Sequence, residues 1–81
     1  MKVAKVAFWG KEGVGQQYSY SCEGFEAGLL KGDWVVVTSA RSKYSLGIFM
    51  GYDIIDKAED IAIVTQRVVG ITAPLQKEKG V

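Results

Sequence analysis

The stretch Gly32-Asp33-Trp34-Val35-Val36-Val37-Thr38, joined through Ser39-Ala40-Arg41-Ser42-Lys43 to Tyr44-Ser45-Leu46-Gly47-Ile48-Phe49-Met50-Gly51-Tyr52, decides how this chain folds. Trp34, Val36 and Thr38 alternate with Val35 and Val37, so both faces of the first segment are largely apolar. A strand of that kind lies inside a sheet, covered on both sides or curled around a barrel interior. Its partner sets Tyr44, Leu46, Ile48, Met50 and Tyr52 on one face and Ser45, Gly47, Phe49, Gly51 and Asp53 on the other. Two glycines within one strand are expected where a sheet bends sharply or another backbone comes close.

Upstream, residues 2–9 form an opening strand. Ala4, Val6 and Phe8 make a wholly apolar face and are assigned inward, while Val3, Lys5, Ala7 and Trp9 share the charged face. Trp9 then falls outside or at the strand end, as a lid on the core edge or as a contact residue. Residues 10–15, with three glycines in six positions, read as a turn. The alternation of Tyr18, Tyr20 and Cys22 with Gln17, Ser19 and Ser21 predicts a second, half-buried strand paired back on the first. Residues 23–31 have no strand period and two glycines, which argues for a loop or a single helical turn plugged into the core by Phe25, Leu29 and Leu30. Asp33 is suited to bond nearby backbone N–H groups as the chain turns.

Downstream, residues 53–60 hold four acids against one lysine and read as a solvated loop or short helix. The strand pattern resumes over 61–71, and Pro74 ends it. The sum is an all-β fold: five strands with at most one short helical turn, rolled into a small barrel to bury faces and hide edges. Residues 1–73 make one domain, and 74–81 read as a frayed tail.

Of the 81 residues, 48% are hydrophobic and 23% charged, with a formal net charge of +1, which suits a globular domain rather than disorder. Near-neutral charge also weakens the case for a dedicated nucleic-acid binder, which carries a basic excess. The single cysteine, Cys22, excludes an internal disulfide framework. No charged start followed by an apolar block suggests a signal peptide, since Lys2 and Lys5 interrupt residues 1–9, and no run is long enough for a membrane span. A reducing, cytoplasmic setting without membrane attachment is the simplest expectation.

The order of these pieces resembles small SH3-like or OB-like barrels. It runs from the strand over 2–9 through Tyr18-Ser19-Tyr20 and Leu30-Lys31-Gly32-Asp33 into Trp34-Val35-Val36-Val37, then Leu46-Gly47-Ile48-Phe49 and the last strand. It is similar to the conserved C-terminal region of the polymerase-suppressor family, whose Gly-Asp-led strand ends in a Thr-Ala-Arg-type turn, here Thr38-Ser39-Ala40-Arg41. It also looks like the N-terminal DNA-end-binding domain of the primosomal replication-restart helicase. Short stand-alone proteins of this look are common in bacteriophage genomes. What the resemblance implies is a barrel architecture and, through the helicase, contact with nucleic acid. Its motifs are glycines, one aspartate and apolar alternation, which are signals of fold rather than of activity.

Chemistry has few places to sit. Gly10-Lys11-Glu12-Gly13-Val14-Gly15-Gln16-Gln17 looks like the phosphate loop of ATPases that read Gly-Lys-Gly-Gly-Val-Gly-Lys-Thr, but Gln16 and Gln17 stand where the phosphate lysine and the Mg²⁺ hydroxyl belong. Histidine is absent, which removes the usual general base and the usual triads. Cys22, placed with two tyrosines, reads as a buried structural thiol. Asp53, Asp56, Glu59 and Asp60 lack the placement of a calcium loop. No catalytic, cofactor or metal site is assigned, and the chain is expected to act by binding.

Two surfaces are candidates. Some of Trp9, Trp34, Phe49 and Tyr52 must exceed what so small a barrel can bury, and such residues either anchor protein contacts or close the barrel ends. A protein partner, including a second copy through an open strand edge, is the favoured expectation. The alternative is a single-stranded or end-binding nucleic-acid module that uses Arg41, Lys43 and Tyr44 of the loop 39–45 to hold phosphates and stack a base.

Overall fold

The structure, a computed structural model, describes residues 1–72. The tail expected over 74–81, with Pro74 as strand terminator, lies outside the described residues. The strands are β1 (Lys2–Gly10), β2 (Gly13–Ser21), β3 (Trp34–Ser39), β4 (Lys43–Ile54) and β5 (Val68–Ile71), with one helix, α1 (Ala58–Ala62), before β5. They form one antiparallel sheet in the order β2-β1-β4-β3-β5. The sheet curls until its two ends meet, where Ser21 at the end of β2 forms a parallel bridge with Arg67 ahead of β5. The expected five-stranded all-β fold with one short helix is the one found.

Bends come where the sequence places glycine. Lys5 pairs with Gly51 but Val6 with Phe49, so Met50 is an extra residue and β4 bulges beside Gly51, whose φ of 138° few other residues adopt. The bulge changes which residues face inward: Phe49 points into the core before it, Tyr52 after it, and their rings meet edge-on at 4.8 Å between centroids. Gly47 answers to close approach. A Cβ there would lie 2.4 Å from Val6 Cγ1 and 3.1 Å from the Ala7 carbonyl oxygen.

The core joins Ala4, Val6, Tyr20, Cys22, Leu29, Val35, Val37, Phe49 and Val68, with Phe8, Phe25 and Tyr52 packed at its margin. The inward assignment of Ala4, Val6 and Phe8 matches this cluster. Val3 and Ala7, assigned to the charged face, are nevertheless fully buried. β1 has a paired strand on each side, which flanks Val3 with Ser21 and Asp53 and Ala7 with Gln17 and Ile48.

The connection from β2 to β3 holds no helical turn. Phe25 and Leu29 plug the core as expected, but Leu30 is 71% exposed. Gly28 and Gly32 take positive φ on either side and reverse the chain, and the Leu30 N–H is held by Asp33 Oδ2 at 2.9 Å. The last strand is also shorter than the apolar alternation suggests, because residues 58–62 are helical and β5 begins only at Val68. Ala58, Glu59 and Ala62 favour helix, and two acids in the first turn complement its dipole.

Candidate partner-binding surfaces

Because Val35, Val37, Gly47 and Phe49 turn inward, their neighbours form the outer face of the β3–β4 hairpin. The cross-strand pairs there are Trp34 with Ile48, Val36 with Leu46, and Thr38 with Tyr44. An outward face of an antiparallel sheet is ordinarily polar; this one is apolar over two rows and carries Tyr44 beside Thr38 in the third. Ala7 extends it onto β1, since it pairs with Ile48. Leu46 is 49% and Tyr44 52% exposed, while Trp34, Val36 and Ile48 are half-buried. Lys43 takes a left-handed backbone conformation, φ 69°, and its Nζ stands 5.7 Å from the Tyr44 ring centre.

The four aromatic candidates do not share one surface. Trp9 is 67% exposed at the end of β1, on the same side of that strand as Ala7. Trp34 belongs to the apolar outer face. Phe49 is 1% exposed and belongs to the core, so it offers no side chain to a partner. Tyr52 is half-buried and holds the β2–β3 connection: its hydroxyl donates to the Phe25 carbonyl at 2.7 Å and accepts from the Leu29 N–H at 3.3 Å. Lys2 adds to this post, with its ammonium 4.3 Å from the Tyr52 ring centre and donating to the Glu26 carbonyl at 2.6 Å.

The basic loop is likewise divided. Tyr44, with Lys43 over its ring, lies on the outer face, whereas Arg41 lines a cleft of about 380 Å³ on the other side of the hairpin. Phe8, Tyr18 and Tyr20 form one wall of that cleft, and Ser39, Arg41, Ser42 and Ser45 the other. Ser39 Oγ accepts from the Arg41 backbone N–H at 3.2 Å and Ser42 Oγ donates to the Tyr44 carbonyl at 3.0 Å, which fixes the turn. Burial and the neighbouring Tyr18 raise the Tyr20 phenol above its ordinary pKa, so it stays a neutral donor. Sequence reasoning did not single out Phe8, Tyr18 or Tyr20 as cleft residues. Their alternation marked them as core, but the strand runs past the core and leaves Tyr18 50% exposed at its mouth.

The glycine-rich stretch after β1 is a tight hairpin, not a loop leading into a helix: Gly10 pairs with Gly13, and β2 begins there. A second hollow of about 390 Å³ lies against it, lined by Phe8, Gly10, Lys11, Glu12, Gly13 and Gly15, where the two charges offset each other. Cys22 is buried, and burial followed by the nearby Glu26 raises its thiol pKa, which keeps it protonated and unreactive. No family model, curated protein or solved structure matches this chain.

Proposed function

We propose that this chain is a non-enzymatic barrel module that contacts a protein, a second copy included, through the outer face of the β3–β4 hairpin. The apolar ladder of Trp34, Val36, Leu46 and Ile48 carries this reading, because it sits where solvent normally selects polar side chains. Trp34 and Tyr44 supply the aromatic anchors that protein contacts favour. The small net charge agrees with a contact driven by apolar burial rather than by phosphate neutralisation.

A photo-crosslinking amino acid at Leu46, in the full chain expressed in its native host, tests this directly. The expected product is a discrete adduct that is lost when Trp34 is changed to Ser, and mass spectrometry then identifies the partner or a second copy. Adduct formation no greater at Leu46 than at the exposed Glu23 would sink the reading.

A further inference from the structure

We propose that the cleft beside the open edge of β2 takes an extended, acidic segment of a partner protein, paired to β2 as an added strand with a carboxylate directed at Arg41. The site is separate from the outer face of the β3–β4 hairpin.

The edge itself comes first. The Ser21 N–H points away from β1, since it donates to the Gln66 carbonyl at 2.9 Å. Pairing of β1 with β2 is regular from Val3–Ser21 to Ala7–Gln17, so the period of two turns the N–H and C=O groups of Ser19 and Gln17 the same way. Among the described residues nothing pairs with β2 on that side except at Ser21. From Gly13 to Ser21 the strand also lacks any charge or proline, the devices that ordinarily blunt an edge.

The cleft then says what such a strand would carry. Tyr18 and Tyr20 project from β2 into it, so alternate side chains of an added strand would enter the same space. Its polar lining residues, of those described, are Arg41, Ser39, Ser42, Ser45, Tyr18 and Tyr20, and no acidic residue is among them. Ser39 Oγ accepts from the Arg41 backbone N–H, which leaves its own proton to donate, whereas the Ser42 hydroxyl proton is already given to the Tyr44 carbonyl. Hydroxyl donors and one arginine with no acid beside them match a carboxylate. A nucleic acid would leave the outward backbone groups of Gln17 and Ser19 unused and would meet only one cation in the cleft.

The test pans a random heptapeptide display library on the full chain and measures the selected peptides by fluorescence anisotropy. Enriched sequences should alternate apolar and polar residues and carry Asp or Glu at one cleft-facing position. Arg41→Gln should weaken binding about tenfold, and amidating the peptide carboxylate should cost nothing further in that variant. Gln17→Pro, which removes only an outward N–H, should abolish binding while circular dichroism stays unchanged. Acid-free binders, affinity indifferent to Arg41→Gln, or tighter binding of an oligothymidine strand would each overturn the proposal. So would dimerisation by light scattering that Gln17→Pro abolishes, which would make a second copy the occupant, or a panning that enriches nothing.

Discussion

Thr38 and Arg67 exchange two hydrogen bonds: the Thr38 N–H donates to the Arg67 carbonyl and the Arg67 N–H donates to Thr38 Oγ1, each at 2.9 Å. Because Gln66, one residue earlier, accepts from the Ser21 N–H, this pair holds the seam where β2 meets the segment leading into β5. Closing the seam hides part of each sheet edge, and the rest of the β2 edge stays open.

Thr38→Val keeps the shape of the side chain and removes its acceptor, leaving the Arg67 N–H without that partner. The loss should be about 1 kcal/mol in urea unfolding. Amide exchange should accelerate at Ser21 before it does so in β1. Unchanged protection at Ser21 would mean that the seam is held by other contacts.

Tyr52 fastens a different segment by tying the β2–β3 connection to β4 through Phe25 and Leu29. Tyr52→Phe keeps the ring beside Phe49 and deletes both bonds. A loss of roughly 1–2 kcal/mol is expected, with limited proteolysis newly cutting between Glu23 and Lys31. If cleavage in that loop does not change, the hydroxyl is not what fastens it.

Gly47→Ala meets backbone as well as side chain. Val6 Cγ1 would lie 2.4 Å from the new methyl, on a fully buried, β-branched side chain with little room to turn. The Ala7 carbonyl oxygen, at 3.1 Å, is fixed in the sheet. Overpacking of this kind should cost about 1–3 kcal/mol, read as a lower denaturation midpoint. Gly51→Ala should destabilise for a different reason, since open space surrounds it and only its φ of 138° opposes a side chain.

Much of this fold was legible because its strands obey a period of two and its bends fall at glycine. Tyr20 and Cys22 buried and Gly47 at a close approach follow from local pattern, whereas the two apolar faces of the strand over 34–38 left open which of them Val35 and Val37 would turn inward. Patterns failed where neighbours in space decide. Ile61 and Ile63 alternate like a strand, yet that segment is a helix and turn whose helical residues bury nothing. The inward change from Phe49 to Tyr52 needs the bulge at Met50, which only pairing with β1 reveals. The cleft joins residues from β1, β2 and the β3–β4 hairpin, a convergence that no linear spacing announces. The uncharged run of β2, by contrast, was in plain view in the sequence.

Stability should fall at alkaline pH through Cys22 and Tyr20. Burial is the main cause that raises both groups above their ordinary pKa in the folded chain. As pH climbs past about 8.5, the unfolded chain releases the cysteine proton first and so binds fewer protons than the native one. Stability then declines with rising pH, and it declines again near pH 10 as the unfolded tyrosine ionises. Below about pH 8 both groups are protonated in both states and contribute no slope. Urea midpoints between pH 7 and pH 10.5 should trace this decline, and Cys22→Ala should flatten its first part even though the variant starts from a lower midpoint. An identical slope in Cys22→Ala would show that the thiol ionises as readily in the folded chain as in the unfolded one.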